Sequence, residues 1–523
     1  VPYCKKDANR KIKTNYLRCS IQKVRALFKI ILIAFVVSFS VSCKKDKVIT
    51  SSSARLTFSQ PNIMFDTVFT SIGSTTQLFR VHNPNNGEVN ISSISLARGN
   101  ASFYRLNVDG VPGKSFSNVQ IAAKDSMYIF VEVTINPSFD PVTSPFIYRD
   151  SIIFQLNGNT QYFSLTAFGQ NAYYHMGNQS WLFSSTQAIS FDTLPIPINS
   201  TDTFKNDKPH LLYGFVFVDS YQKLYVEPGT KIYVHGSGGI WVYQNGSIHI
   251  AGTPIDSVTI QGDRLEQEYK DVPGQWDRIL INEGGTNTIT NAVIKNAYIG
   301  IQAGFAAFSF GTKDNSNIYN STITPNLTIN STVIQNCSQT GILGQAFAIS
   351  GGDNVVVNCG QNLLEFDLGG SYSFYQCTFA NYWNQTNNSS TPSARTTPSF
   401  NFNDYNSQYL IPFTNLSFGN CIFDGTLAEE FNFDTLAQIN GFTTPYSFNY
   451  CALKTGTAFG THAMNCQINQ SMNFINTTAY NFDLNPGSKA ISTGSTSANG
   501  GYMTDINGHT FANPNPNMGA YAN

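Results

Sequence analysis

The chain predicts an all-β protein in which a β-sandwich precedes a parallel β-helix, and three patterns predict it. In Leu224–Ile260, after the leading Lys223, the apolar pairs Leu224/Val226, Ile232/Val234, Ile240/Val242 and Ile248/Ile250 recur every eight residues, with Gly229, Gly238, Gly239 and Gly246 between them. Further on, short apolar strands end repeatedly in Asn-Cys or a relative of it. Before both, residues 54–170 carry strict two-residue alternation and tight-turn dipeptides.

The eight-residue recurrence defines the solenoid. Side chains i and i+2 of a strand share a face, so each pair points inward and the residue between them points out. Three such steps make about one turn, and neighbouring turns stack at roughly 4.8 Å. Residues 24 apart then lie one above another, placing His249 over Tyr225 and Ile248 over Leu224.

Composition agrees. With 523 residues and 41% apolar content the chain fills two or more cores, while charged residues are only 12% and the net charge is −1. Nothing is basic enough to track a phosphate backbone, which excludes nucleic acid as an expected partner. The 40 Phe and 26 Tyr exceed what one core needs, so some are expected on the surface.

From the start of the chain, no Met precedes Met64, so residues 1–23 read as upstream sequence and Val24 as a candidate start. Residues 24–42, with Lys23 just before them, have the layout of a secretory signal peptide: the basic Lys23, Arg25 and Lys29, then the apolar Ile30–Val37, then small residues up to Cys43. The apolar run is too short to span a bilayer comfortably. Val41-Ser42-Cys43 resembles the lipobox of bacterial lipoproteins, although Ser40 stands where Leu is usual. That resemblance implies lipidation of Cys43, a polar tether over 43–53 and an outer-membrane lipoprotein facing the periplasm or the cell exterior. SCKKDK resembles lipoproteins of the Bacteroidetes. Asp-Ser/Thr followed by an aliphatic residue or Met resembles the O-glycosylation signal of that group, making Thr67, Ser126, Ser151, Thr193, Ser257 and Thr435 candidate acceptors.

In residues 54–170, Met127, Ile129, Val131, Val133 and Ile135 alternate with Tyr128, Phe130, Glu132 and Thr134, predicting a half-buried strand. Asn157-Gly158 between two β-rich runs predicts a hairpin. GSTTQLFRVHNPNNGEVNISSISL resembles immunoglobulin-like modules that precede surface repeat domains in bacteria, implying an immunoglobulin-like sandwich acting as a spacer. No Cys lies between Cys43 and Cys337, so packing alone must hold it.

Residues 171–212, aperiodic and containing Trp181, Leu182 and Phe183, are expected to connect the two domains and cap the solenoid. The β-helix is expected over 213–523. Its recurrent element appears as Asn296-Ala297, Asn336-Cys337, Asn358-Cys359, Gln376-Cys377, Asn420-Cys421 and Tyr450-Cys451, with separations of 40, 22, 18, 44 and 30 that suggest turns of about 20 residues with insertions. Stacked Asn side chains suggest an amide ladder in one corner. The Cys column suggests buried thiols rather than disulfides, because side chains in register point the same way; no metal site is expected. The tail, DLNPGSKAIST followed by DINGHTFANPNPNMGAYA, resembles the final turns of right-handed parallel β-helix proteins of the pectate-lyase-like superfamily, across roughly 210–523.

Enzymes of that superfamily act on polysaccharides: lyases with a Lys or Arg base and calcium, hydrolases with paired Asp. The dense charge cluster Asp263, Arg264, Lys270, Asp271, Asp277 and Arg278 is the catalytic candidate, with a self-paired solvated loop as the competing reading. Calcium enters only under the lyase reading, and no other cofactor is expected. Tyr233, Trp241 and Tyr243 point outward on the predicted rungs, and with Tyr405 and Tyr409 of the long insertion Asn384–Phe413 they are candidate sugar-stacking residues, unless neighbouring segments cover them. The leading expectation is a monomeric, membrane-anchored lipoprotein that recognises or adheres to glycan or another cell-surface component without catalysis. The alternatives are a polysaccharide lyase or glycoside hydrolase, and a structural stalk.

Overall fold

The computed structural model describes residues 47–138, 145–182, 188–282, 284–304, 326–384, 395–405, 411–434 and 445–522. Cys43, Tyr409 and Thr435 lie outside the described residues. The chain divides into two compact units, one holding the described residues up to Phe65 with Gly73–Thr134 and Ile147–Ala167, the other holding Asp66–Ile72, Ile135–Phe146 and everything from Phe168 onward.

The first unit is a pair of five-stranded sheets. One is antiparallel throughout, in the order Thr57–Phe58, Gln77–His82, Ser126–Val133, Tyr104–Val108, Val111–Gly113. The rings of Phe79 and Phe163 stack between the sheets at 3.8 Å, and Phe58 meets Phe154 at 5.1 Å. The alternation holds residue by residue: Met127, Ile129, Val131 and Val133 are buried, while Tyr128 and Phe130 are exposed. Asn157 and Gly158 take φ of 50° and 80° and turn Phe146–Leu156 into Asn159–Gln170, as the dipeptide predicts.

The second unit is a parallel β-helix of 27 strands in one continuous ladder. Successive strands fall on three faces in rotation. In the opening turns the first face is His210–Tyr213, Lys231–Val234 and Val258–Gly262; the second is Phe215–Val218, Gly239–Val242 and Ile279–Ile281; the third is Lys223–Val226, Ser247–Ala251 and Asn287–Thr290. Leu224 pairs with Ile248 and Tyr225 with His249, the register expected from the 24-residue repeat. Parallel pairing starts earlier than residue 213, because Tyr173–Met176 already runs beside His210–Tyr213 and Thr201–Phe204 beside Lys223–Val226. Gln179–Leu182, antiparallel to Ala188–Thr193, lies within this opening turn.

Aliphatic side chains fill the early turns and phenylalanines the late ones. Leu224, Ile232, Ile240 and Ile248 give way to Phe366, Phe374, Phe402, Phe418 and Phe448, all buried in one continuous core. Phe418 stacks on Phe448 at 5.2 Å. Much of the phenylalanine surplus is therefore interior.

The Asn-Cys series resolves into two corners. Asn296, Asn336 and Asn358 turn the first face into the second, at φ of 63°, 57° and 51°. Gln376, Asn420 and Tyr450 turn the third face into the first, at φ of 52°, 49° and 53°. An L-residue at such φ is costly, least so for Asn, which explains the residue type at most of these positions. The separation of 18 between Cys359 and Cys377 is thus a step from one corner to the other rather than a turn; true turns here take 22 or 23 residues, as Val333, Val355 and Thr378 pair in succession. Asn336 Nδ2 donates to Asn296 Oδ1 at 2.8 Å, one rung of the expected ladder. Cys337, Cys359, Cys377, Cys421 and Cys451 are buried free thiols and Cys466 is a half-buried one.

The last fifty residues do not extend the ladder but fold back along the first face. Phe482 and Ala520 pack on Val355, Val357 and Ala380, and Met472, Leu484 and Met518 on Ile422 and Ala452. Gln376 Nε2 donates to the carbonyl of Asn517 at 3.1 Å, and Thr378 Oγ1 accepts from Ala520 N at 3.0 Å. No helix among the described residues is long and apolar enough to cross a membrane.

Candidate functional site

The returning tail covers the later turns of the first face, and the second face carries an outward-pointing strip from turn to turn. Its central column, read through the register, is Phe217, Trp241, Leu280, Gln302, Leu343, Glu365, Asn401 and Asn432. Two residues on, Gln345, Asp367, Asn403 and Asp434 form a second column. The first five members of the central column are buried, and apart from Leu343 the strip is polar from Gln302 onward.

The polar part is knitted from turn to turn. Gln302 Nε2 donates to Gln345 Oε1 at 3.1 Å, Asn403 Nδ2 to Asp367 Oδ1 at 2.7 Å, and Asn432 Nδ2 to Asn401 Oδ1 at 2.7 Å. Tyr405 closes it, its hydroxyl donating to Asp434 Oδ2 at 2.8 Å. Glu365 and Asp367 project from the same side of one strand, their Cα atoms about 6.6 Å apart at two residues of strand rise. Both are half-buried. Burial, with the Glu365 charge behind it, pushes the Asp367 carboxyl up to about 7 against the opposing hydrogen bonds of Asn403 and Gln345. Burial raises Glu365 as well, with Thr340 Oγ1 donating to its Oε2 at 2.8 Å. Burial thus favours the protonated form of both carboxyls, and the midpoint of Asp367 comes to lie near neutrality.

These two residues were missed in the sequence, where Leu364-Glu365-Phe366-Asp367 looks like any strand with a wet face. The available signal was a pair of outward carboxylates at i and i+2 in a solenoid where charge is sparse outside the insertion.

The charged insertion is divided between two places. Asp263 Oδ2 meets His235 Nδ1 at 2.7 Å, and Tyr213 stacks on that imidazole at 4.2 Å. Arg264 pairs with Glu266 at 3.1 Å and lies over the Tyr269 ring at 3.7 Å. The backbone carbonyls of Lys270 and Asp271 accept from Asn296 Nδ2 at 2.9 Å and Asn336 Nδ2 at 2.8 Å, which moors the insertion to the corner. Asp277 and Arg278 pair at 2.7 Å at the start of the polar strip, where Arg278 also donates to Gln302 Oε1. Two ion pairs thus lie within the insertion, while Asp263 pairs outside it and Lys270 forms none among the described residues. Among the described residues, no group of three or more His, Cys, Asp or Glu side chains converges as a metal site.

The outward aromatics separate likewise. Trp241 is fully buried beneath Trp181, Phe191 and Phe217, with its indole N–H donated to Asn282 Oδ1 at 2.7 Å. Tyr233 is covered by Phe69 at 5.4 Å. Both point outward from the rungs as expected, yet neither presents a ring face to solvent. Tyr243 and Tyr405 are half-buried at the apolar and polar parts of the strip. Thr67, Ser126, Ser151, Thr193 and Ser257 are all half-buried, and at the first three the preceding Asp Oδ1 accepts the backbone N–H of the Ser or Thr.

Fold and strip place the chain among all-β proteins built on a parallel β-helix. No known protein family and no curated protein matches the sequence. Among solved structures, the catalytic unit of a thermostable GH87 alpha-1,3-glucanase from Streptomyces thermodiastaticus strain HF3-3 is similar over 66% of this chain and 66% of its own, at 10% identity and a TM-score of 0.24. A PapD-like domain of human CEP192 is similar over 25% of this chain and 94% of its own, at 13% identity and a TM-score of 0.16. A family 123 glycoside hydrolase from Clostridium perfringens is similar over 22% of this chain and 26% of its own, at 11% identity and a TM-score of 0.15.

Proposed function

We propose that this chain is a surface-anchored glycan-recognition protein whose ligand lies along the outer strip of the second face. The hydrogen-bonded array from Gln302 to Asp434 carries this reading. Sugar hydroxyls both donate and accept; the amides of Gln302, Gln345, Asn401, Asn403 and Asn432 offer both functions, and Glu365, Asp367 and Asp434 add acceptors. Because neighbouring turns already hold these side chains, little ordering entropy opposes binding. Tyr243 and Tyr405 supply the planes on which sugar rings stack.

In the same reading Cys43 bears the lipid anchor in the outer membrane, 43–53 is the tether, and an immunoglobulin-like sandwich spaces the β-helix from the bilayer. The protein acts as a monomer, with polysaccharide or another cell-surface component as partner and without a cofactor. The test is a glycan array probed with the chain from Lys44 onward. Saturable binding weakened at least tenfold in Asn401→Ala with Asn432→Ala supports it; binding unchanged by that pair overturns it.

One observation favours a second reading, hydrolysis. Glu365 and Asp367 sit on one strand face with their proton affinities raised, and a protonated and an ionised carboxyl are the pair that glycoside cleavage uses. Among the enzyme readings this favours hydrolysis over a calcium-dependent lyase, since Arg278, which donates to Gln302 of the strip, is already paired with Asp277. Depolymerisation abolished by Glu365→Gln and Asp367→Asn, with binding retained, would establish it; wild-type protein that binds glycan and releases no product would exclude it.

A further inference from the structure

A separate small cavity lies between the charged insertion and the outer side of the first face. It encloses about 120 Å³ and its polar lining is Gln261, Arg264, Gln267, Lys270, Lys295 and Asn296. Three of these six are cations, two of the others are glutamines, and no carboxylate lines it. Gln261 and Lys295 occupy adjacent turns of the first face, one residue beyond the paired Ile260 and Ile294. Arg264, Gln267 and Lys270 come from the insertion that crosses above them.

The arrangement is held in place. Asn296 Nδ2 fastens the carbonyl of Lys270 at 2.9 Å, and Gln275 Nε2 fastens those of Tyr269 and Val272 at 2.7 and 2.8 Å. The Nε edge of Arg264 is occupied by Glu266 and its plane rests on Tyr269, which fixes the guanidinium. Lys295 is half-buried; burial lowers the proton affinity of its ammonium, Lys270 adds to the effect and Asp271 opposes it. Neither Lys270 nor Lys295 forms an ion pair among the described residues. Cations gathered in a partly desolvated space repel one another, and the repulsion becomes attraction once an anion sits among them. Amide N–H groups on two sides add neutral donors for its oxygens.

We infer that this cavity binds a small oxyanion through Arg264, Lys270 and Lys295. Its volume is well below the roughly 300–1,000 Å³ of pockets that enclose whole organic ligands. A sulfate, a phosphate or a carboxylate therefore fits, either as a free ion or as the charged group of a glycan whose remainder stays outside. The site shares no residue with the second-face strip, so it stands or falls independently of glycan recognition there.

The test is calorimetric titration of the full chain at low ionic strength with sodium sulfate, with galacturonate and with a sulfated oligosaccharide. Wild-type protein is expected to bind sulfate saturably, with affinity at least tenfold lower in Lys295→Gln and in Lys270→Gln and reduced by added sodium chloride. Lys270 is exposed, so its replacement leaves folding intact even if the Lys295 variant misfolds. Oligosaccharide bound more tightly than sulfate assigns a glycan-borne group, and sulfate bound as tightly or more so assigns the free ion. Absence of saturable binding to all three probes, or binding unchanged in the Lys270 variant, overturns the inference.

Discussion

Asn403 donates from Nδ2 to Asp367 Oδ1 across 2.7 Å, joining one turn of the solenoid to the next on the outside of its second face. The bond stabilises the ionised form of a carboxyl that burial and Glu365 push toward protonation. Hydrogen bonds to charged groups are worth about 1.5–3 kcal/mol and one pKa unit is about 1.4 kcal/mol. Asn403→Ala should therefore raise the Asp367 midpoint by about one to two units, read by carboxyl-carbon NMR titration. An unmoved midpoint would mean that the bond does not act on the proton.

The imidazoles of half-buried His175 and buried His210 touch through Nε2 and Nδ1 at 3.0 Å. Burial drives them from 6.5 down to about 3 and about 4. The unfolded chain therefore binds more protons than the folded one below pH 6.5, and stability falls as pH drops from there toward 3. Melting temperature should decline over that window and decline less in His175→Gln. A profile identical to wild type would place the acid sensitivity elsewhere.

Asp353 has the opposite sign. It is 3% exposed, its Oδ1 lacks a partner among the described residues, and burial followed by the Asp505 charge raises it from 3.8 to about 8. The folded state now holds the extra proton, so the stability this group contributes is complete below pH 3.8 and lost as pH rises toward 8. Asp353→Asn should match wild type near pH 3.5 and melt higher at pH 7, with the gap constant above 8. Equal melting at pH 7 would show that the carboxyl is not held neutral.

Ile240 is fully buried in the early core. Ile240→Asp should cost about 4 kcal/mol or more, since a charge would enter a space without partners. Denaturant unfolding measures it, and an unchanged midpoint would contradict the inward assignment of the rungs.

Cys43→Ser should move the protein from the membrane to the soluble fraction, because the proposed anchor depends on that sulfur. Retention in the membrane fraction would remove the lipid anchor from the functional reading.

The solenoid was legible because its periodicity is local. Inward pairs every eight residues, with turns between them, specify stacking without knowledge of any distant segment, and Tyr225 duly meets His249. Where a long-range partner decides the outcome, periodicity was silent. Trp241 points outward as its position requires, yet residues from the opening turn, some 50–60 positions earlier, cover it. Cys359 and Cys377 look like successive members of one column because both follow a left-handed residue, and only the strand register shows that they belong to different corners.

By itself the sequence determined the class of fold, the face on which each rung residue points and the free state of the buried thiols, since strand alternation and side-chain direction follow from short-range stereochemistry. Tertiary structure alone decided which outward faces remain open, because that depends on where the tail, the opening turn and the charged insertion come to rest. It also made Glu365 and Asp367 a candidate site: proton affinity follows from burial and from neighbours on adjacent turns, which no single strand contains.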